Sequence, residues 1–179
     1  MAFTAPATMR ALVLSSFDGD LPRPKLVDRP VPSPRSGEVL VRVAAAPINP
    51  NDVLFLRDRY DVKKPLPVVP GFEGSGTVVS SGGGLMARAM AGRHVAFAAG
   101  DGDGSWAEYA AVPVMRCVPL RGSTTPEEGA TMLTNPLTAW VLASEAGREG
   151  HRAVVLTAAA GALGVMLGRL LRRQGRAVI

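Results

Sequence analysis

The sequence predicts a mixed α/β fold made of two unlike parts, and three observations support this prediction. Residues before about 125 form short strand-like runs separated by turns rich in proline and glycine, which favours a compact, partly closed β barrel. Residues after 125 form alanine-rich helical segments around one apolar run at 153–157. A glycine turn and an amphipathic segment follow that run, as is typical of a parallel β-α-β unit. We therefore expect one domain over residues 1–125 and a partial second domain over 126–179.

Composition excludes several classes of protein. Of the 179 residues, 47% are hydrophobic and 20% are charged, as in a folded globular protein. The most apolar stretch, residues 153–171, is interrupted by Thr157, three glycines and Arg169, so we expect no membrane span. The N-terminus lacks the pattern of a secretory signal, and a cytoplasmic location is the expectation. A single cysteine, Cys117, excludes an intrachain disulfide framework and a cysteine-rich zinc module.

The net charge of +5 does not by itself indicate a nucleic-acid partner. The densest basic cluster has helical spacing, so its members share one face of a helix: Arg169, Arg172, Arg173 and Arg176. Leucines and a methionine lie on the opposite face, and the plain interpretation is a solvated basic face over a buried apolar stripe. A patch for nucleic acid or an acidic partner is the alternative. Because only 5% of the residues are aromatic and the other basic residues are scattered, we expect no nucleic-acid partner.

The first part is predicted to be mostly strand. Alternating or apolar runs bounded by turn residues predict strands at 9–14, 25–31, 38–45, 72–80, 93–98, 105–112 and 116–119. Asn49 and Pro50 are typical of a helix start, and they predict a short helix over 51–57. Three prolines make 63–70 an extended loop, and the glycines of 81–84 predict a tight turn. Two glycines inside the 72–80 strand indicate a bulge or a close backbone approach.

The second part alternates helix and strand. Thr125 caps a predicted helix whose first turn carries two glutamates, and a second helix is expected over about 136–146. The apolar run 153–157 predicts a strand buried on both faces, followed by a helix over 164–174 and a strand over 176–179. Two parallel strands cannot form a whole sheet. Either the chain is a fragment or another chain supplies the missing strands.

A glycine-rich turn between the predicted strand and helix is the most specific local signal. It fits the dinucleotide fingerprint G-x-G-x-x-G with alanine at the first position, and it comprises Ala159, Ala160, Gly161, Ala162, Leu163 and Gly164. Gly161 would allow a pyrophosphate to approach the backbone, and Gly164 would allow close packing of helix and strand, with Gly168 as a second such position. The helix N-terminus would offer its N–H groups to the phosphates. A plain strand-helix turn is the alternative.

Six segments together resemble one family. They follow one another at family-like spacing over almost the whole chain, at residues 48–52, 57–60, 67–76, 104–109, 135–139 and 158–164. The chain resembles the first half of a medium-chain dehydrogenase/reductase, specifically the zinc-free quinone oxidoreductase and enoyl reductase branch. The resemblance implies a GroES-like β-barrel catalytic domain and the first β-α-β unit of a Rossmann domain that binds NADPH, with NADH as the alternative cofactor, and an active site in the cleft between the domains. Family members are usually about twice as long.

The resemblance also bears on zinc. Zinc-dependent relatives place a cysteine where this chain has Asn49, and a histidine where it has Phe72 between Gly71 and Glu73. Neither an amide nor a phenyl ring is a usual zinc ligand. His94 and His151 are not spaced as a pair, and we interpret both as surface or boundary residues. We therefore expect no metal.

Without a metal, another group must stabilise the negative charge that develops on a reduced carbonyl. Tyr60 lies eleven residues after Asn49, the offset at which enoyl thioester reductases of the family carry their catalytic tyrosine. Its phenol could donate a hydrogen bond or a proton. The alternative is a loop tyrosine packed beside Pro65 and Pro67. Asn49 is expected to bind the substrate or the nicotinamide ribose, to cap the helix, or both, and Asp52 to orient the Asn49 loop beside the substrate.

Two further polar residues resemble positions near the nicotinamide: Asn135 and Thr138. Their alternative role is to cap the helix that begins near Pro136. Trp106 and Tyr109 are expected in the barrel core, Trp140 in helix packing, and Cys117 as a small buried residue. Glu73 is expected to be structural.

The function predicted from these residues is hydride transfer from NADPH to a small-molecule carbonyl or quinone substrate, without zinc. An enoyl thioester reductase is the alternative within enzymes, and Tyr60 would matter more in it. A catalytically silent binding module with an incomplete nucleotide site is the alternative outside enzymes. Relatives often dimerise through the edge of the Rossmann sheet, so a homodimer is expected only of a longer form.

Overall fold

The computed structural model describes residues 3–179. The chain divides into two compact units, of which one extends to Thr131 and the other comprises Met132–Ile179. Within residues 3–179, no helix combines the length and the apolar character that crossing a membrane requires.

The first unit consists mainly of antiparallel strands. Its elements in chain order are β1 (Thr8–Val13), β2 (Lys25–Pro30), β3 (Glu38–Ala45), α1 (Pro50–Leu56), β4 (Glu73–Ser81), α2 (Leu85–Ala89), β5 (His94–Ala98), β6 (Tyr109–Pro113), β7 (Cys117–Pro119) and α3 (Pro126–Ala130). Five strands form one sheet in the order β6-β3-β4-β5-β7, and β1 pairs with β2 in a second sheet. The predicted β-rich part and its short helix at residue 50 are therefore confirmed, with most bounds shifted by one residue.

The core of the five-stranded sheet follows from the alternation in β3. Val39 and Val41 are fully buried and pack with Val95 and Phe97 of β5, while Arg42, which follows Val41, is exposed. Burial of such side chains stabilises the fold by about 1.5–3 kcal/mol each. Leu40, between the two valines, is buried as well, so the alternation expected along β3 is seen from Val41 to Arg42 but not at Leu40.

A glycine in β4 allows β3 and β4 to approach closely. The pairing of the two strands shifts register twice, between Leu40 and Val41 and again between Val43 and Ala45. A Cβ atom on Gly76 would lie 2.1 Å from the main-chain oxygen of Arg42. Both features predicted from the strand glycines are therefore present: the pairing is irregular where the register shifts, and the main chains approach closely at Gly76.

The segment between the two sheets differs from its prediction. A strand was expected over 105–112, but β6 begins only at Tyr109. The preceding residues cross to β1 instead, where Leu12 N–H donates to the Trp106 carbonyl at 2.9 Å and Ala11 forms an isolated bridge with Ala107. Tertiary hydrogen bonds thus overrode the local strand pattern. Trp106 and Tyr109 pack against the buried cluster that contains Met9, in agreement with the prediction that both belong to the core.

Two short helical segments escaped prediction. Helix α2 follows the glycine turn at 81–84 and buries Ala87 against the sheet core. A single 3-10 turn, Val114–Arg116, precedes β7. Both are too short to show helical periodicity, which explains the omission. Cys117 is half-buried, and burial raises the pKa of its thiol to about 11.

The second unit contains α4 (Thr134–Arg148), β8 (Ala153–Val154), α5 (Ala162–Arg173) and β9 (Ala177–Val178). The two strands are parallel, and the helices share a core of Ala139, Ala143, Leu167 and Leu171. The predicted β-α-β order and the exposed arginine face of α5 are confirmed.

Two expectations for the second unit were wrong. The run 153–157 is not buried on both faces: Val154 and Leu156 pack on the helical core, but the side chain of Val155 is 73% exposed. Among the described residues only one layer, the helices, covers this sheet. Trp140, expected in helix packing, is 61% exposed on α4.

Candidate active site

Buried polar side chains meet at the start of α1. The side-chain amide of Asn49 donates to Glu73 Oε1 at 2.7 Å, and the main-chain N–H of Asn49 donates to Asp52 Oδ2 at 2.7 Å. All three side chains are buried. Pro50 suits the first turn of α1, because an N–H at that position would have no partner within the helix and proline lacks one. Asp52 is thereby bound to the main chain of Asn49, the residue that precedes the helix. An orienting role for Asp52 requires this contact.

The Asp52 carboxyl is held in an unfavourable environment for a charge. The pKa of Asp52 is raised from 3.8 to about 6: burial is the largest cause and the charge of Glu73 adds to it, while the main-chain N–H groups of Asn49 and Phe72 and the charge of Lys64 act in the opposite direction. Oδ1 of Asp52 is buried and has no hydrogen-bond partner among the described residues. Such a group costs free energy in the native state. This carboxyl therefore changes its protonation near neutral pH.

The end of α1 directs the chain to Tyr60. Asp58 adopts φ +52°, its N–H donates to the Phe55 carbonyl, and the Arg59 N–H donates to the Leu54 carbonyl at 2.9 Å. These paired bonds form a Schellman motif, with Asp58 in the left-handed position that glycine usually takes. The turn brings Tyr60 back against the site two residues later.

The aromatic ring of Phe72 packs against Tyr60. Its ring meets that of Phe72 edge to face, with centroids 5.2 Å apart, and Phe72 in turn meets Phe55 at 5.6 Å. Tyr60 packs on the cluster that contains Phe55 and Val68. Its hydroxyl makes no hydrogen bond within residues 3–179. The packing that the loop-tyrosine interpretation foresaw is present against Phe72, and it leaves the phenol able to donate.

Lys64 is a buried cation that sequence reasoning missed. Its ammonium donates to the Gly102 carbonyl at 2.9 Å and lies 5.0 Å from the centroid of the Phe72 ring. Burial lowers the pKa of Lys64, and the nearby carboxylates of Asp103, Asp101 and Asp52 oppose this. No signal in the sequence distinguishes it from Lys63 beside it, because both belong to the same proline-rich loop.

The positions of zinc ligands in related enzymes carry other chemistry here. Asn49 is engaged with Glu73, and the Phe72 ring is packed between Tyr60, Phe55 and Lys64. Within residues 3–179 no three His, Cys, Asp or Glu side chains are grouped so that they could hold a metal ion. The side chains of both histidines are exposed. These residues do not fit a zinc site, because amide and phenyl groups are not usual zinc ligands.

The glycine-rich turn of the second unit lies between β8 and α5. Gly161 precedes the helix and offers no side chain to cap it, so the first N–H groups of α5, those of Ala162 and Leu163, have no protein partner in the described chain. Residues 158–162 are exposed, Ala159 and Ala160 included. Ala158 adopts φ +53°, which is unfavourable for alanine, and its carbonyl accepts from Gly161 N–H at 3.0 Å. The turn is thus strained and open, and its unpartnered N–H groups could accept an anion such as a pyrophosphate.

The close packing assigned to Gly164 is present, but its partner is the turn rather than the strand. A Cβ atom there would lie 2.6 Å from the Ala158 oxygen and 2.7 Å from Ala159 Cα. Both are main-chain atoms, which cannot move aside cheaply. A Cβ atom on Gly168 would lie at least 3.4 Å from its nearest neighbours, which are side-chain atoms, so that position has room for a methyl group. Of these two glycines, only Gly164 is a steric requirement.

Asn135 and Thr138 lie on the first turns of α4. The helix begins at Thr134, two residues before the expected start, with Leu133 preceding it, so neither residue caps the helix. The Thr138 hydroxyl donates to the Thr134 carbonyl at 2.7 Å and is exposed, and Asn135 is half-buried. Their assignment to the nicotinamide stays a prediction.

The arrangement provides two chemical functions. In the first unit, the Tyr60 phenol and the Asn49 carboxamide, which Glu73 orients, can donate hydrogen bonds to an oxygen that gains negative charge. In the second unit, unpartnered N–H groups at a helix start can bind phosphate. Acid-base chemistry by Cys117 is not supported, since its thiol is protonated at neutral pH.

The chain is similar in sequence to known proteins that include reductases. Residues 35–122 match the family model described as the alcohol dehydrogenase GroES-like domain. The chain is 36% identical over 168 residues to the synaptic vesicle membrane protein VAT-1 homolog of Rattus norvegicus, covering 92% of this chain and 40% of that protein. It is 36% identical over 134 residues to the mitochondrial enoyl-[acyl-carrier-protein] reductase of Caenorhabditis elegans, covering 74% and 38%.

A solved structure has the same fold. The quinone oxidoreductase from Thermus thermophilus, whose complex with NADPH is also known, superposes with a TM-score of 0.79 at 33% identity, covering 95% of this chain and 52% of that one. The chain thus spans about two-fifths of the curated relatives and about half of this structural relative.

Proposed function

Because the chain belongs to the medium-chain dehydrogenase/reductase superfamily, we propose that it is an NADPH-dependent, zinc-independent reductase of quinones or α,β-unsaturated carbonyl compounds, or the part of one that contains both reacting sites. The observation that carries the proposal is the uncapped start of α5 beside Gly164, where a β-carbon would fill the space against the turn. The NADPH complex of the Thermus thermophilus relative supports the choice of cofactor.

The cofactor site is built from main-chain groups. The N–H groups of Ala162 and Leu163 would hold the pyrophosphate, while Ala159, Ala160 and Gly161 leave room for its approach. Asn135 and Thr138 are the candidates for the nicotinamide end. Bound NADPH supplies the hydride, and the protein supplies binding, orientation and charge stabilisation. We also propose that residues 1–125 form the catalytic domain and that 126–179 begin the cofactor domain.

The substrate side uses two hydrogen-bond donors. When the substrate oxygen gains negative charge, the Tyr60 hydroxyl can donate to it and can deliver a proton. Asn49 uses one amide N–H for Glu73 and keeps a second for the substrate or the nicotinamide ribose. Asp52 holds the Asn49 main chain, and Glu73 orients the side-chain amide. Since Asn49 and Phe72 replace the usual zinc ligands, these donors take the place of a metal.

Titration of the protein with NADPH, followed by nicotinamide fluorescence, tests the proposal. We would titrate this chain and any longer product of the same reading frame. Saturable binding, abolished by Gly164→Val, is the expected result, because a valine side chain cannot fit against the Ala158 carbonyl. Absence of binding in every form would refute an enzyme that uses NADPH.

An enoyl thioester reductase is the second candidate, and the position of Tyr60 against Phe72 favours it, since the phenol is free to protonate an enolate. A panel of quinones and enoyl thioesters separates the two. Higher kcat/KM on the thioesters would select the second candidate. NADPH binding without turnover on either substrate would indicate instead the silent binding module.

A further inference from the structure

Lys64 is an unusual lysine because it is buried without an ion-pair partner. Its exposed fraction is 6%, whereas lysines are almost never fully buried unless they are paired. No salt bridge of residues 3–179 includes it; its ammonium is held by the Gly102 carbonyl and by the face of the Phe72 ring. A buried ammonium is costly, so the chain retains it against a substantial desolvation cost.

The neighbouring lysine shows what an ordinary position looks like. The side chain of Lys63 is 62% exposed and its ammonium pairs with Asp58 at 2.6 Å, on the surface. The two residues share the same loop and the same chemistry. Lys63 is therefore a matched control for any change made at Lys64.

The contacts of Lys64 lead directly to the proposed donors. The Phe72 ring touched by the ammonium is the ring against which Tyr60 packs, at a centroid distance of 5.2 Å. The main-chain N–H of Phe72 also lowers the pKa of Asp52, whose carboxyl accepts from the Asn49 main-chain N–H. One cation thus contacts the common neighbour of Tyr60 and Asp52.

The charges that face Lys64 and Asp52 come from several elements. Three carboxylates attract the ammonium, those of Asp103, Asp101 and Asp52, and Arg116 repels it. Glu73 is the carboxylate that acts against ionisation of Asp52, and Lys64 is the cation that favours it. Loss of the ammonium therefore removes from the Asp52 carboxyl the cation that favours its ionisation.

We propose that Lys64 is a positioning residue of the reductase site: its buried ammonium ties the Gly102 loop to the Phe72 ring, and so fixes Tyr60 and the Asp52–Asn49 pair for catalysis. The inference rests on the proposed function, since Tyr60 and Asn49 are the donors that it positions. A desolvated cation on an aromatic face holds that arrangement more firmly than an exposed one does. As a positioning residue, Lys64 is assigned no contact with the reacting atoms.

Three variants test the proposal in the form that binds NADPH: Lys64→Met, Lys64→Arg and the control Lys63→Met. We expect Lys64→Met to lower kcat about tenfold while the NADPH dissociation constant stays unchanged, because donor geometry and not cofactor binding is lost. Lys64→Arg should recover most of the loss, since it keeps a cation for the ring and the carbonyl. Lys63→Met should match the wild type. Equal kcat for Lys64→Met and Lys63→Met would overturn the proposal.

A second readout does not depend on reductase activity. Carbon-13 NMR of the Asp52 carboxyl in this chain should show a higher pKa in Lys64→Met than in the wild type, and an unchanged pKa in Lys63→Met. An unchanged Asp52 titration in Lys64→Met would refute the coupling even if NADPH never binds, so the two proposals fail separately. If Lys64→Met does not fold, Lys64→Gln keeps a donor for Gly102 but no charge, and it must give the same rise.

Discussion

Asn49 donates its side-chain amide to Glu73 Oε1 at 2.7 Å, and both side chains are buried. The bond joins the residue before α1 to the first residue of β4, which are 24 positions apart in the chain. It fixes which atoms of the carboxamide remain available, since the N–H that faces Glu73 is used. The geometry therefore presents Asn49 as an oriented donor and not as a loosely held loop residue.

Replacing Asn49 by aspartate should destabilise the first unit in a pH-dependent way. Two buried carboxylates would then face each other, which should cost about 3 kcal/mol of unfolding free energy at pH 7. Near pH 5 one shared proton should restore most of this loss. Urea unfolding at both pH values measures it, and the pair Asn49→Asp with Glu73→Gln is the control, because it restores an amide-carboxylate contact. Equal stability of the wild type and Asn49→Asp at pH 7 would contradict the contact.

Removing the Tyr60 hydroxyl should impair turnover but not cofactor binding. In the NADPH-binding form, Tyr60→Phe keeps the packing on Phe72 and loses only the donor, so kcat should fall at least about tenfold. The NADPH dissociation constant should stay nearly unchanged. Tyr109→Phe is the matched control, since that ring belongs to the barrel core. Unchanged turnover of Tyr60→Phe on both quinones and enoyl thioesters would remove Tyr60 from the reaction.

The two buried glycines of α5 should respond oppositely to alanine. Gly164→Ala places a methyl group 2.6 Å from a main-chain oxygen and should destabilise the second unit by about 1–3 kcal/mol while it weakens NADPH binding. Gly168→Ala has room and should stabilise the helix by up to about 1 kcal/mol, with binding unchanged. Urea unfolding and NADPH titration of both variants provide the comparison. Equal behaviour of the two variants would show that Gly164 has no special steric role.

Asp52 should make stability depend on pH between about 4 and 7. Its pKa is about 6 in the folded protein and 3.8 as the reference value, so the charged form is disfavoured in the native state. Well below pH 3.8 the carboxyl is protonated in both states and nothing is lost; as the pH rises from about 4 to about 6, stability falls by up to about 3 kcal/mol, and above that range it levels off.

The variant Asp52→Asn removes this dependence, because its carbonyl oxygen still accepts from the Asn49 N–H. Its advantage over the wild type in unfolding free energy should therefore grow from pH 4 to pH 7 and then level off. The exposed Asp61→Asn serves as the control and should show no such trend. A constant difference between Asp52→Asn and the wild type across this range would contradict the buried, charged carboxyl.

Local patterns sufficed for much of the architecture. The alternation of Val39, Val41 and Val43 identified β3, and Asn49 with Pro50 identified the start of α1, because period and capping act over a few neighbouring residues. The glycine turn was placed correctly between strand and helix for the same reason. Where a segment is too short for a period, as in α2, or is captured by distant main-chain bonds, as at 105–108, the prediction was wrong or incomplete.

By itself the sequence determined most of the strands and helices, the position of the glycine turn between a strand and a helix, and the start of α1 at Pro50. Only the tertiary structure decided that Glu73 accepts from Asn49, that Phe72 supports Tyr60, and that Lys64, and not the adjacent Lys63, is buried. The reason is physical: periodicity and capping depend on near neighbours, whereas burial and charge compensation depend on residues that the fold brings together from distant positions.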